Sequence, residues 1–159
     1  MGIGGNMYYF SKKSLEKLQG VHINLINFMK ELIEISPWDF KITDGVRTAT
    51  EQNKLYQSGR TIPGPWKTNC DGYKKISNHQ TKIDGLGYAV DIGVLVKEHG
   101  RIVYKGDWKD FHYYQDIYNT AKKTGLIEKY GIEWGGTWKN RKDGPHFQIS
   151  GADNVPYQK

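Results

Sequence analysis

The spacing of the apolar residues changes along the chain, and this change limits the possible folds more than any other feature of the sequence. Over residues 12–35, apolar side chains recur every three or four positions, as on one face of an amphipathic helix. Residues 88–96 are instead apolar and β-branched. A turn-forming segment at 98–100 separates them from a second short strand pattern, which predicts a β-hairpin. The sequence therefore predicts an α+β domain, with a small, mostly antiparallel sheet flanked by helices.

Local start and stop signals predict the other elements. Ser36-Pro37 ends the first helix, because a residue that precedes proline avoids the helical region. The remaining predicted elements are a strand over 40–43, a helix over 49–58 that opens with a capping box, a helix over 108–124, and short strands over 132–134 and 146–149. Residues 59–78 are rich in Gly, Pro, Asn and Asp, and a loop of this length in a domain is usually functional.

Length and composition restrict the class of protein. A chain of 159 residues fits one domain, so we expect residues 1–159 to form a single domain with 1–9 and 151–159 loosely ordered. No apolar run approaches the roughly 20 residues of a membrane helix, and the N-terminus lacks the basic and apolar segments of a signal peptide. Cys70 is the only cysteine, which excludes an internal disulfide and a cysteine-based zinc cluster. A metal site would therefore need histidines and carboxylates.

The chain carries a formal charge of +6 at pH 7. An excess of this sign suits an anionic partner such as nucleic acid, a membrane surface or a polyanionic bacterial wall. The basic residues are dispersed along the sequence, however, and dispersed charge is usually ordinary solvated surface. Charge alone therefore selects no partner.

Two parts of the sequence combine imidazole, carboxylate and glycine near predicted strand edges. The first contains 77–79 and 87–91, and the second contains 133–138 and 143–146. A catalytic zinc needs three such ligands and one open position for water, and a separate carboxylate nearby can then move the proton. The same residues would also suit ordinary surface or core histidines and turn-forming aspartates. Spacing alone leaves both readings open.

The motifs taken in order resemble a known family. Thr43-Asp-Gly-Val-Arg47 is followed by S-x-H at 77–79, G-x-A-x-D at 87–91, W-G-G at 134–136 and D-x-x-H at 143–146. This order is similar to that of the zinc peptidases of the D-alanyl-D-alanine carboxypeptidase and L-alanyl-D-glutamate endopeptidase family, and in particular to bacteriophage endolysins. The resemblance runs from about Phe10 to Ile149, nearly the whole chain.

The resemblance implies specific roles for single residues. His79, Asp91 and His146 match the ligands of one zinc ion per chain. Asp143 matches the catalytic carboxylate that activates the water. Arg47 matches the arginine that holds the substrate or the developing oxyanion, a role that suits a guanidinium near a metal.

Further residues match the substrate-binding part of the family pattern. Gln52 and Ser77 are expected to support it by ordering Arg47 or the histidine loop, and Trp134 and Trp138 belong to a segment that forms a wall of the cleft. One departure concerns the spacing of the ligands: His79 and Asp91 are separated by about five more residues than usual, and the extra residues fall within 80–85. Asp84 therefore stands as an alternative ligand, although the glycine and alanine that precede Asp91 favour Asp91.

The function implied by the resemblance is hydrolysis of a peptide bond in the peptidoglycan stem by a phage endolysin. We expect the L-alanyl-D-glutamate bond to be cut; removal of a terminal D-alanine and non-catalytic wall binding are the alternatives. Without a signal peptide, the protein would be made in the host cytoplasm and act on the wall after release. We expect a monomer with no separate wall-binding domain and with neither nucleic acid nor membrane as partner, in which the positive charge favours anionic wall polymers.

Overall fold

A five-stranded antiparallel sheet forms the centre of the protein in a computed structural model, which describes residues 7–159. The strands are β1 (Asp39–Asp44), β2 (Ala89–Glu98), β3 (Arg101–Lys105), β4 (Ile132–Trp134) and β5 (His146–Ile149). The α-helices are α1 (Lys12–Lys17), α2 (Ile23–Ile35), α3 (Ala49–Gln57), α4 (Phe111–Lys123) and α5 (Leu126–Tyr130). The predicted α+β domain with a small antiparallel sheet is confirmed.

The long strand β2 organises the sheet. The strand order across the sheet is β1-β2-β5-β4, and β3 also pairs with β2. β5 pairs with the first three residues of β2 and β3 pairs with the last five, while β1 covers the opposite edge. Asp91 is consequently paired with His146 on one side and with Asp44 on the other. This register brings the middle of β2 next to the first residue of β5.

The predicted continuous helix over 12–35 is wrong, because it is two helices. α1 ends at Lys17, and Gly20 adopts a positive φ of 83°, a conformation that a helix interior does not contain. α2 then begins at Ile23, where the Nδ1 atom of His22 accepts a hydrogen bond from the backbone of Asn24 at 3.1 Å. His22 therefore caps α2, and its ring also packs edge-on against Tyr88.

One face of α2 supplies much of the core. Leu25, Phe28, Met29 and Leu32 are fully buried, at the three- and four-residue spacing of a single helix face. They belong to one hydrophobic cluster with the inward-facing residues of β1 and β2 and with the buried side of α4. This face of α2 therefore packs against one side of the sheet. The polar residues described below lie on the other side of the same strands.

The other local predictions have mixed outcomes. The capping box at the start of α3, the hairpin of β2 and β3, and the strands β4 and β5 are confirmed. The helix predicted over 108–124 begins instead with a single 3₁₀ turn, and α5 was not predicted. Among residues 7–159, none of the helices is both long and apolar enough to cross a membrane.

The C-terminal segment 151–159 was predicted to be loosely ordered, and this is wrong. Ala152 is fully buried, and Tyr157 forms an antiparallel bridge with Lys82. The hydroxyl of Tyr157 also donates a hydrogen bond to the carbonyl of Ile76 at 2.9 Å. Residues 1–9 were also expected to be loosely ordered. Of these, residues 1–6 lie outside the described part of the chain.

Candidate metal centre and active site

Three side chains from separate segments meet at the middle of β2. His79 lies in the loop before β2, Asp91 lies on β2, and His146 is the first residue of β5. One ligand atom from each lies within 4.8 Å of the other two. His146 Nδ1 is 3.1 Å from Asp91 Oδ1, and His79 Nε2 is 3.4 Å from Asp91 Oδ2. The register of β2 and β5 thus brings Asp91 and His146 together, and the loop before β2 adds His79, the third residue expected to bind zinc.

The opposite nitrogen of each histidine is held by an acceptor. His79 Nδ1 lies 2.8 Å from the carbonyl oxygen of Gly45, and a carbonyl can only accept, so this nitrogen carries the proton. His146 Nε2 lies 2.8 Å from Gln148 Oε1, which likewise makes it the protonated nitrogen. The other two nitrogens, His79 Nε2 and His146 Nδ1, face Asp91, and these are the atoms that a bound metal ion would use. Such outer hydrogen bonds are what orients histidines that bind metals.

One atom of this group lacks a partner in a way that fits a metal ion. His79 Nε2 is buried and makes no hydrogen bond within the described part of the chain. A buried polar atom without a partner costs about 1–3 kcal/mol unless something binds it. Two neutral imidazoles and one carboxylate are a donor set suited to zinc and to other first-row divalent metals. The group of His79, Asp91 and His146 can therefore hold a metal ion.

The charge of Asp91 is stabilised by its surroundings. Burial alone would raise the pKa of this carboxyl, but the imidazoles of His79 and His146 hold its pKa well below the usual range. Arg47 Nη2 also donates to Asp91 Oδ2 at 3.0 Å. Asp91 is consequently an anion, which is the form that binds metals.

Arg47 is held by three acceptors, and one of them is the candidate ligand Asp91. Its Nε donates to Asp44, and its Nη1 donates to Gln52 Oε1 at 2.9 Å. Gln52 is fully buried, and its amide nitrogen donates to the carbonyl of Cys70 at 3.0 Å. The supporting role predicted for Gln52 is thus seen in its geometry, but direct contact of Gln52 with a substrate is contradicted by its burial.

The loop after β4 carries Asp143 to the same cavity as the three ligands. Its backbone amide donates to the carbonyl of Gly135 at 3.0 Å. A Cβ atom on Gly135 would lie only 2.5 Å from the carbonyl oxygen of Asp143, so glycine is required for this close approach. Burial, followed by the neighbouring negative charge of Asp91, raises the pKa of Asp143. A carboxyl with a raised pKa beside a metal site suits a group that exchanges protons.

The two tryptophans of the predicted cleft wall have different positions. Trp134 is only 2% exposed, stacks on Tyr118, and donates its Nε1–H to the carbonyl of Gly144 at 2.6 Å. The prediction that Trp134 contacts a substrate is therefore wrong, because this side chain belongs to the core. Trp138 does line the cavity, with its ring centroid 5.2 Å from that of His146 and its Nε1–H bonded to Glu133 at 2.7 Å.

Ser77 and the extra residues 80–85 also have defined positions. Ser77 Oγ accepts a hydrogen bond from the backbone of His79 at 3.2 Å, which agrees with a role in ordering the histidine loop. Asp84 instead accepts a hydrogen bond from the hydroxyl of Tyr88 at 2.6 Å, and this bond is the main cause that raises the pKa of Tyr88 to about 12. Asp84 is not part of the group that can hold a metal, so the alternative ligand is excluded.

Asp143 borders the cavity at the metal group and also a second, neighbouring cavity. The volume of the first is about 580 Å³, and its lining includes Arg47, Ser77 and Trp138 besides the ligands. A second depression of about 270 Å³ is lined by Trp108, Phe111 and Lys142. Asp143 and Pro145 line both. The carboxylate of Asp143 therefore belongs to a segment that borders two neighbouring cavities.

Sequence reasoning missed Gln148 and Gly45, which orient the two histidines. Gln148 lies two residues after His146 on the same strand, and side chains two residues apart share one face of a strand. That spacing could have indicated Gln148. The acceptor from Gly45 is a backbone carbonyl, for which the sequence contains no side-chain signal.

The fold and the site together have the form of a metallopeptidase domain. A family model described as phage L-alanyl-D-glutamate peptidase matches residues 6–150, and the chain belongs to this family. The chain is 33% identical over 115 residues to the peptidoglycan L-alanyl-D-glutamate endopeptidase CwlK of Bacillus subtilis (strain 168). The match covers 70% of this chain and 60% of that relative, so the chain spans less than two thirds of the relative's length.

A solved structure shows the same fold. The L-Ala D-Glu endopeptidase ChiX of Serratia marcescens matches with a TM-score of 0.60 and 24% identity, over 96% of both chains. The likeness therefore extends over almost the whole α+β domain and includes the sheet that carries the metal group.

Proposed function

We propose that this protein is a zinc-dependent endopeptidase that hydrolyses the L-alanyl-D-glutamate bond of the peptidoglycan stem and acts as a phage endolysin. Four residues, His79, Asp91, His146 and Asp143, converge on one cavity, and this is the observation that carries most weight. Membership of the phage L-alanyl-D-glutamate peptidase family and the similarity to CwlK support the choice of bond. His79 Nε2, His146 Nδ1 and a carboxylate oxygen of Asp91 would hold the zinc.

Each residue has a task in the proposed reaction. Bound zinc would lower the pKa of a coordinated water and polarise the scissile carbonyl. Asp143 takes the proton of the attacking water and passes it to the leaving amine, a transfer for which its raised pKa is suited. Arg47 holds Asp91 in place, and its donors that are not bonded to Asp44, Gln52 or Asp91 would be available to a developing oxyanion.

The shape of the cleft favours an endopeptidase. A carboxypeptidase has to accommodate only one residue beyond the bond that it cuts, whereas an endopeptidase has to accommodate chain on both sides. Asp143 lines cavities of about 580 and 270 Å³, so more space adjoins the proton-transferring group than a single terminal residue would need. We therefore prefer cleavage within the stem to removal of a terminal D-alanine.

The biological setting is part of the same proposal. The enzyme would be made in the host cytoplasm and would reach the wall after release. The charge of +6 would attract it to anionic wall polymers without a nucleic acid or a membrane as partner, and we propose that it acts as a monomer.

Digestion of a defined peptidoglycan with the zinc-loaded protein tests the function. Mass analysis of the products, with labelling of new amines, should find a new N-terminus on D-glutamate. Free D-alanine would instead identify a carboxypeptidase, and binding to the wall without any new amine would identify a binding module. Activity should disappear with a chelator and return with zinc. Full cleavage by metal-free protein would refute the zinc mechanism.

A further inference from the structure

Lys82, in the extra segment 80–85, is completely buried. Its relative exposure is 0%, although lysine is among the residue types least often found inside proteins. The ammonium donates hydrogen bonds to Asn78 Oδ1 at 2.7 Å and to the carbonyl of Ala152 at 2.9 Å. It also lies 3.7 Å from the centre of the Tyr157 ring. The charge is therefore surrounded by oxygens of neutral groups and an aromatic face.

Burial of this ammonium has an energetic cost. Removing a charged group from water is unfavourable unless the group is paired, and here burial lowers the pKa of Lys82 while Asp153 acts in the opposite direction. A neutral side chain of similar length would fill the same space without that cost. The cation must therefore provide something that packing alone does not.

The ammonium fixes the orientation of the Asn78 amide together with two other groups: the Tyr157 hydroxyl also donates to Asn78 Oδ1, at 3.3 Å, and Asp153 accepts from the Asn78 NH₂ group. Because Lys82 can only donate, Asn78 must turn its carbonyl oxygen to the ammonium and its NH₂ group away from it. That NH₂ group donates to Asp153 Oδ1 at 2.8 Å and to Gln148 Oε1 at 3.3 Å. Gln148 must in turn present its oxygen to Asn78 and to the Nε2–H of His146. A continuous series of hydrogen bonds thus joins Lys82 to a candidate metal ligand.

We propose that Lys82 is a positioning residue for the metal site, which acts through Asn78 and Gln148 to keep the Nδ1 lone pair of His146 directed at the metal. If the Asn78 amide turned over, its oxygen would face Gln148 Oε1, and Gln148 would then present NH₂ to His146. The imidazole would have to move its proton to Nδ1, the nitrogen that the metal needs. This inference rests on the metal site of the proposed function.

A purely structural role for the segment is the alternative to be distinguished. Thr81 lies next to Lys82 and also binds the C-terminal segment, since its hydroxyl donates to Gln158 Oε1 at 2.8 Å. Thr81 has no contact with Asn78 among these hydrogen bonds. Thr81→Val therefore removes one attachment of the C-terminal segment and leaves the series from Lys82 to His146 intact, which makes it the matched control.

The test compares Lys82→Met, Asn78→Asp and Thr81→Val with the wild-type protein. Asn78→Asp keeps an acceptor for Lys82 but removes the donor to Gln148. Long-range ¹⁵N–¹H spectra of the metal-free proteins report the tautomer of His146, and competition with a chromophoric chelator measures the zinc dissociation constant. We expect the wild type and Thr81→Val to hold His146 with the proton on Nε2. Lys82→Met and Asn78→Asp should populate the Nδ1–H form and bind zinc about 3- to 10-fold more weakly, less than the roughly 10- to 100-fold typical of groups that bond a ligand directly, because both residues act through Gln148.

Each outcome decides the question. If Lys82→Met folds and keeps both the wild-type tautomer and the wild-type zinc affinity, the inference is wrong, and the same holds for Asn78→Asp. Should Lys82→Met fail to fold, Asn78→Asp decides alone, because it retains the bond to the ammonium. A wild-type protein that does not bind zinc would refute the proposed function. The tautomers of the metal-free proteins would still show whether Lys82 controls His146.

Discussion

Gln148→Leu should weaken metal binding, although Gln148 is not a ligand. Leucine has a similar volume but cannot accept the Nε2–H of His146, which Gln148 Oε1 binds at 2.8 Å. In the metal-free variant His146 can move the proton to Nδ1 and donate it to Asp91 Oδ1, 3.1 Å away. Metal binding requires Nδ1 without a proton, so the metal-bound variant must bury an Nε2–H with no acceptor. The substitution therefore destabilises mainly the metal-bound state.

The expected magnitude follows from the cost of that orphaned donor. A buried donor without a partner costs about 1–3 kcal/mol. Since 1.4 kcal/mol corresponds to tenfold in affinity, the dissociation constant for zinc should rise by roughly 5- to 150-fold. Substitutions of the groups that hold metal-binding histidines typically cost about 10- to 100-fold, which agrees with this range.

Competition between the protein and a chromophoric chelator measures the zinc affinity directly, and thermal unfolding of the metal-free protein shows whether the variant still folds. Gln148→Glu is the control, because it keeps an acceptor at the same place and should bind zinc at least as tightly as the wild type. If Gln148→Leu folds and its zinc dissociation constant stays within about twofold of the wild-type value, the role assigned to this hydrogen bond is refuted.

Three further predictions concern the reaction and the wall. Asp143→Asn should lower kcat by about 10²- to 10⁴-fold while the zinc content, measured by atomic absorption, stays at the wild-type level; loss of the metal would instead assign Asp143 a structural role. Because burial and Asp91 raise the pKa of Asp143, and the base acts deprotonated, kcat/KM should fall as the pH decreases, starting above the ordinary aspartate value of 3.8; a rate that stays constant down to that pH would contradict this. Added salt should slow lysis of whole walls but not cleavage of a short, soluble stem peptide, since the charge of +6 is screened over about 10 Å at 0.1 M; equal effects on both substrates would exclude steering by charge.

The elements that sequence reasoning found are those whose pattern is local. A capping box defines the start of α3, and a period of two residues followed by a turn defines the hairpin of β2 and β3. The break between α1 and α2 was missed because Leu18, His22 and Leu25 keep the helical spacing across it. The helix is interrupted by the positive φ of Gly20, by the β-bridge of Val21 with Gly87 and by the non-helical backbone of His22. Of these only the glycine is visible in the sequence, and glycine in a helical pattern is an ambiguous signal.

Burial is the property that the sequence predicted least well. Trp134 was expected in the cleft wall and lies in the core, where Phe147 and Tyr118 pack against it. Lys82 belongs to a polar segment, and lysine is rarely buried, yet its side chain is buried with the ammonium 3.7 Å from the centre of the Tyr157 ring. Both outcomes depend on contacts between residues far apart in the sequence. A local pattern cannot contain that information.

The same distinction between local and long-range information applies to the metal site. The ligands could be predicted because few residue types bind a metal, and His79, Asp91 and His146 are therefore conspicuous in the sequence. The groups that orient these ligands need only accept a hydrogen bond, which many side chains and every backbone carbonyl can do. Gly45 fulfils this requirement with its backbone alone, directly after β1, whose register with β2 shifts between Ile42 and Asp44. The orientation of His79 therefore depends on the path of the backbone at the end of β1, which no side-chain pattern in the sequence encodes.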